Sequence, residues 1–478
     1  MLHLPLLRWG RPYRSLQTAP LRDLRSGAVL AETSLANPGL IARDLLGAAA
    51  ARQALAERTT ADLLAIAGRA AHLFAEGELP LGDGAQGAGD YLAQVSATTG
   101  LPRTLARRNM EKIRSVLGAM PRVLGGLTRG LPLEVLDRGW GEEEGRLVAF
   151  RRETDVLGAV LPSNSPGVHG VWLPALPLKV ALALRPGRQE PWTPYRVAQA
   201  FIAAGCPPQA IGVYPSDHAG AGEILLRCGR SLLFGDRATV EPWEGDPRIQ
   251  VHGPGWSKVV FGADQAAGWR DHLDLLVTSV AENGGRSCIN ASGIWTPAHA
   301  SELARGLAER LAAIAPRPLD DPGAELAALP SLEAARHLSE AIDAQLRQPG
   351  AVDVSAAVRG PERVVTLDGC AFLQPTVVHC TDPRHPLAQA EYLFPFVAVV
   401  EAPAVEMTRH LGPSLVVTAL TADPALVHDL LAAPGIERLN LAPVATCRVD
   451  WDQPHEGNLF EHLYRRRALQ PPAALGAA

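Results

Sequence analysis

From Asp155 onward, short apolar runs alternate with helical segments, and this rhythm constrains the fold more than any other feature of the chain. Val156-Leu-Gly-Ala-Val-Leu161, Leu182-Ala-Leu184, Ala210–Tyr214 and Ser231–Phe234 read as buried strands. Helices are expected from Trp172 to Leu178, over Pro194–Ala204 and over Gly220–Cys228. Short strands joined by helices pack as a parallel sheet with right-handed crossovers. Such a sheet takes its ligands at the carboxyl ends of its strands.

A second series starts at Lys258–Phe261. It continues through a helix ending near Glu282, a strand at Ala291–Trp295, a helix over Ala300–Ile314, and strands near Val364, Thr376 and Phe396–Val400. The tail, 439–470, begins with a strand and ends in a basic, proline-limited segment. Ahead of both series, residues 37–126 carry helical spacing, with Ala48–Glu76 and Arg103–Gly118 the clearest stretches. Gly82–Gly89 is a loop between helices. Between helices and first strand, Leu131–Thr154 reads as two strands around the acidic Trp-Gly-Glu-Glu-Glu-Gly turn, a hairpin suited to an oligomer contact. The arginine-rich N-terminus hints at a transit peptide, but Leu7–Leu16 alternates like an edge strand and is read as one.

A chain of 478 residues holds two or three domains, and a net charge of −5 gives no general attraction to nucleic acid or anionic membrane. No apolar run reaches the roughly 18 residues of a membrane span. The six cysteines show no pairing or metal-ligand spacing, which fits reduced thiols in a cytoplasmic protein and gives no metal centre.

Several segments carry chemistry. Cys288 lies in Asn283-Gly-Gly-Arg-Ser-Cys-Ile-Asn-Ala-Ser292, and a cysteine suits acyl chemistry because its thiolate adds to a carbonyl and later leaves as a thioester. Asn164, in Leu161-Pro-Ser-Asn-Ser-Pro-Gly-Val-His169, stands at a strand end where an amide can donate to an oxyanion. Arg185 and Arg188 follow the strand Leu182–Leu184. Gly235 sits in Leu233-Phe-Gly-Asp-Arg-Ala-Thr-Val240, and His252 in Val251-His-Gly-Pro-Gly-Trp-Ser-Lys258. Glu391 falls in Gln389-Ala-Glu-Tyr-Leu-Phe-Pro-Phe396.

In order and spacing these segments resemble the aldehyde dehydrogenase superfamily over most of the chain. The resemblance implies an α/β fold with a Rossmann-type cofactor domain from 1–130 and 155–252. It implies an oligomerisation hairpin at 131–154 (with part of 450–478) and a catalytic domain over 253–440 carrying the nucleophile. Cys288 matches the nucleophile, and Asn164, eight residues before Trp172, matches the oxyanion amide. Ser163 and Gly235 fall among the cofactor-binding positions, and Glu391 matches the carboxylate that holds the nicotinamide ribose. Arg185 and Arg188 replace a Lys and a Glu that contact the adenosine ribose. Two guanidinium groups there favour a 2′-phosphate, hence NADP over NAD. Asp236 replaces a serine, which is unfavourable beside a pyrophosphate.

The hydrolytic members place a water-activating Glu where this chain has Val251, with His252 as the neighbouring candidate base. Its absence points to the CoA-acylating branch, an acyl-CoA reductase or acylating aldehyde dehydrogenase. Its partners are then a small aldehyde or acyl thioester, CoA, and further copies of the chain in a homo-oligomer, a dimer or tetramer. The alternatives are aldehyde oxidation to an acid, an acyl-phosphate reductase, and a catalytically idle binding subunit. Pro454-His-Glu-Gly-Asn458 takes the place of a late family loop and is given no role.

Overall fold

A computed structural model describes residues 1–453 and 457–470. The strands of the first series form one parallel sheet, in the order Ile249–His252, Arg230–Phe234, Val156–Val160, Ala181–Arg185 and Ile211–Val213. A two-stranded extension, Leu6–Arg8 with Arg11–Tyr13, adds antiparallel to the last of these, so the N-terminal edge strand of the sequence reading is a hairpin. Strand order reverses between Val156–Val160 and Arg230–Phe234, and the chain segments leaving those two strands begin at Leu161 and Gly235. A doubly wound sheet opens its ligand crevice at such a reversal.

The second sheet runs Ala351–Asp353, Thr376–Cys380, Phe396–Glu401, Ala291–Thr296, Ser257–Phe261, Ser414–Leu420 and Ile436–Asn440, parallel except at its first strand. Only Gly253–Trp256 separates the last strand end of the first sheet from the strand Ser257–Phe261. The cleft is therefore bounded by carboxyl ends of strands on one side and by amino ends on the other. Cys288, Glu391, Pro413 and Gly435 all precede strands of the second sheet.

Three local readings change. The region 48–76 holds two helices, because Thr59 caps Thr60–Glu76 in a reciprocal capping box with Asp62. Trp172–Leu178 is not an α-helix: Pro174 and Pro177 leave only 3-10 turns. In the hairpin, Val135–Arg138 is a helical turn ended by Gly139 in the left-handed region. Its strands are Trp140–Glu143 and Arg146–Arg152, and Tyr464–Arg467 adds a third. The Gly82–Gly89 stretch is not a plain loop: Gly84–Gln86 pairs with Leu79–Leu81, and Ala88 and Gly89 open the helix Ala88–Thr99. No helix among the described residues is long and apolar enough to cross a membrane.

Candidate active site

The backbone turns sharply just before Cys288. Asn283, Gly284 and Gly285 all have positive φ, and a β-carbon on Gly285 would meet the Phe394–Pro395 backbone at 2.4 Å. Asn290 closes the loop: its Oδ1 accepts from the Ser287 amide at 2.9 Å, and its Nδ2 donates to the carbonyls of Ser279 and Glu282. Ser257 Oγ donates to the Cys288 carbonyl at 2.8 Å.

Arg286 anchors the loop from below. Its buried guanidinium donates to the carbonyl of Thr99, at the C-terminus of the helix Ala88–Thr99, at 2.7 Å and to that of Ala328. A cation at a helix C-terminus is well placed, although burial lowers its pKa to about 10. Asn164 Nδ2 donates to the Arg286 carbonyl at 2.8 Å, so the amide named from sequence is tied to the nucleophile loop two residues from Cys288. Trp172 explains its place in the motif by donating to His169 Nδ1 at 3.1 Å, with His169 Nε2 in turn 3.0 Å from the buried Glu190 carboxylate.

Two cavities meet at Cys288, the one described residue that lines both. The first, of 330 Å³, runs between the helix Arg103–Gly118 and the segment 447–451. Asn109, Ser165 and Asn283 line it and bond one another: Asn109 Nδ2 donates to Asn283 Oδ1 at 2.6 Å, and Asn283 Nδ2 to Ser165 Oγ at 2.9 Å. Glu282 and Cys447 share this wall, and burial, reinforced by Glu282, pushes the Cys447 thiol up to about 11. The second cavity, of 460 Å³, is lined by His252, Gly255, Trp256 and Pro413. His252 stacks on Phe234, its register partner in the sheet, with ring centroids 4.3 Å apart. Val251 lines the same cavity, and the acid on its wall is Glu437, exposed on the edge strand.

The cofactor positions divide. Arg185 Nη2 donates to the Ser216 carbonyl at 2.9 Å, its Nε is buried without a partner, and the nearby Arg188 is exposed. Burial and then the Arg188 charge lower the Arg185 pKa, and Asp217 partly offsets them. Ser163 Oγ accepts from the Gln189 amide at 3.2 Å, and a β-carbon on Gly187 would meet that oxygen at 2.3 Å, so Ser163 shapes the arginine turn. Gly235 is different. Asp236 accepts from the Thr239 amide at 2.9 Å and caps the four-residue helix that follows, while Thr239 packs against Gly235. The amide that would face a pyrophosphate is already occupied by a carboxylate, so this turn does not fit that group.

Glu391 accepts from the amides of Gly255 and Trp256, and each oxygen keeps a second acceptor site for a hydroxyl. Its neighbour Lys258, given no role from the sequence, is buried and donates to the Trp256 carbonyl at 2.7 Å and to Ser414 Oγ at 3.0 Å. Burial brings Lys258 down to about 7 and lifts Glu391 up to about 7, each partly offset by the other's charge.

Superposition on solved structures decides the architecture. The aldehyde dehydrogenase KauB from Pseudomonas aeruginosa matches with a TM-score of 0.80 at 16% identity, over 98% of this chain and 96% of that one. The chain has the aldehyde dehydrogenase fold. A 3,6-anhydro-L-galactose dehydrogenase solved with NADP matches at 0.78 and 13% identity, over 97% and 99% of the two chains. An indole-3-acetaldehyde dehydrogenase complexed with NAD+ matches at 0.75 and 17%, over 98% and 96%. No family model and no curated protein matches this chain. Within the aldehyde dehydrogenase fold, then, the Cys288 loop is held at both ends by Asn290 and Ser257, the arginine turn leaves a buried donor for an anion, and the capped helix Arg237–Val240 does not. Of the Pro454–Asn458 stretch, residues 454–456 lie outside the described residues.

Proposed function

We propose that the chain is an NAD(P)-dependent oxidoreductase that interconverts an aldehyde and an acyl thioester through an acyl-cysteine at Cys288. The observation that carries this reading is the position of Cys288 where two cavities meet, one of them lined by the Gly255 and Trp256 backbone that Glu391 holds. The Cys288 thiolate adds to an aldehyde carbonyl, giving a hemithioacetal whose oxyanion lies toward the Asn164 side of the loop. A nicotinamide cofactor would supply the hydride acceptor for oxidation of this adduct to the Cys288 thioester, and the hydride donor in the reverse direction. An incoming thiolate such as that of CoA then displaces the Cys288 sulfur, leaving an acyl thioester and the free cysteine. Val251 supports the thiol over water, because no carboxylate stands at the usual water-activating position.

The arginine turn supports NADP as the cofactor. Arg185 and Arg188 would hold the 2′-phosphate, and Glu391 a ribose hydroxyl pair. These are the fits the side chains offer, and the Asp236 cap leaves the pyrophosphate to be held elsewhere.

Hydrolytic release to a carboxylic acid is the second reading, and one observation favours it: Glu282 shares the cavity wall with Cys288 and can serve as a base. One assay separates the two. Purified protein is given an aldehyde and NADP+ or NAD+, with and without CoA, and nicotinamide absorbance is followed. Turnover that requires CoA and vanishes in Cys288→Ser supports the acylating reading. CoA-independent turnover that is lost in Glu282→Gln supports hydrolysis. No turnover and no cofactor binding by calorimetry would leave the chain as a binding subunit.

A further inference from the structure

The 330 Å³ cavity is small, near the lower end of ligand pockets of roughly 300–1,000 Å³. Its walls are cationic. Arg108 and Lys112 stand one helical turn apart on Arg103–Gly118, and Arg448 faces the same space from the opposite segment. Lys112 Nζ also lies 6.0 Å from the ring centre of Trp451, another wall residue. The acids nearby are assigned to other arginines: Glu111 pairs with Arg114, and Asp450 and Asp452 both pair with Arg122. Arg108 and Arg448 are exposed and form no ion pair among the described residues.

Glu282, the one carboxylate on the wall among the described residues, lies beside Cys447 and the Cys288 loop, and it repels a second negative charge close to the reacting carbon. The charge pattern is therefore polarised, with cations at the mouth and a carboxylate at the base.

We infer that the aldehyde or acyl group taken by this chain carries a negatively charged group, a carboxylate or phosphate, remote from its carbonyl and held by Arg108 and Arg448 at the cavity mouth. This deepens the proposed function and rests on Cys288 being the reacting residue. Two cations at a cavity mouth raise the local concentration of an anion by about tenfold at low ionic strength and much less at high salt.

The test uses the whole protein and does not require turnover. Cys288 alkylation by iodoacetate, an anion, and by iodoacetamide, its neutral counterpart, is timed by peptide mass spectrometry, each rate divided by that for glutathione. The normalised acetate-to-amide ratio is expected to be about ten at low salt and to fall toward one in the Arg108→Met/Arg448→Met variant and in 1 M salt. Arg107→Met removes an exposed charge from the same helix but not from the cavity, and is expected to leave the ratio unchanged. A ratio near one in the unaltered protein, or one that Arg107→Met lowers equally, overturns the inference.

A kinetic arm separates the source of the charge. Aldehydes ending in carboxylate, phosphate or methyl are compared with CoA as acceptor. A lower KM for the charged aldehydes, lost in the double variant, supports the inference; a variant that raises the KM of CoA for all three aldehydes overturns it. An alkylation preference without turnover of any aldehyde would contradict the proposed function while leaving anion recognition at Cys288 intact.

Discussion

The backbones of Gly255 and Cys288 touch: a β-carbon on Gly255 would lie 1.9 Å from the Cys288 carbonyl oxygen. That oxygen also accepts the Ser257 hydroxyl. The segment joining the two sheets thus holds Cys288 by its main chain, leaving the thiol to face the cavities.

Gly255→Ala should displace the Cys288 loop. A shift of about 1 Å in a reacting group costs on the order of a hundredfold in rate, so kcat is expected to fall by that order while the protein still folds. Steady-state kinetics beside a thermal melt check this, and an active Gly255→Ala protein would show that the contact does not fix the loop.

Arg286 should matter for stability as much as for catalysis. Arg286→Met leaves the carbonyls of Thr99 and Ala328 buried without their donor, and each such loss costs about 1–3 kcal/mol. Urea unfolding is expected to show a destabilisation of about 2–6 kcal/mol; a change within about 0.5 kcal/mol, the range of ordinary surface substitutions, would contradict the anchoring role.

Asp236→Ser keeps a capping oxygen on the Thr239 amide but removes the carboxylate. Because the Asp236 cap leaves the pyrophosphate to be held elsewhere, NADP(H) affinity is expected to stay within about twofold, while loss of the negative charge at the helix N-terminus costs about 0.3–1 kcal/mol of stability. Calorimetric titration measures the affinity. Tightening of about fivefold or more would contradict this and place the pyrophosphate at residues 235–239.

Some of this is legible in the sequence and some is not, for physical reasons. The strands from Val156 to Phe234 are legible because strands covered on both faces must be apolar throughout. Cys288, Asn164 and Glu391 stand out in the sequence through the motifs around them, but the contacts that bring them to one region, Asn164 to Arg286 and Glu391 to Gly255 and Trp256, are long-range and not legible there. Leu131–Leu136 misleads, since its apolar residues pack equally well from a helical turn, and Gly139 rather than hydrophobic pattern starts the strand. Arg286 reads as one more loop arginine, because its partners Thr99 and Ala328 lie far off in the chain. Lys258 is hidden likewise: its burial depends on Ser414, Pro413 and the Glu391 loop. The cationic cavity mouth needs the helix Arg103–Gly118 to face residues 447–451, which no local pattern specifies.

The Lys258–Glu391 pair should give stability a minimum near neutral pH. Glu391 is raised from 4.5 to about 7, so the folded chain keeps a proton that the unfolded chain loses, and stability falls as pH climbs through that range. Lys258 is lowered from 10.5 to about 7, so the unfolded chain holds the extra proton above neutrality, and stability recovers toward pH 10. Each limb has a slope of at most about 1.4 kcal/mol per pH unit. Denaturant midpoints from pH 5 to 9 should trace the minimum, and Glu391→Gln should remove its acidic limb. A profile identical in the variant would contradict the pairing.

The central claim, that Cys288 carries an acyl group which a thiol and not water removes, is tested most directly by intact-protein mass spectrometry after incubation with an acyl-CoA and no nicotinamide. The account predicts one acyl adduct, located on the Cys288 peptide, stable in buffer for many minutes and discharged at once by added CoA. No adduct on Cys288, or one that water clears as fast as CoA does, would contradict it.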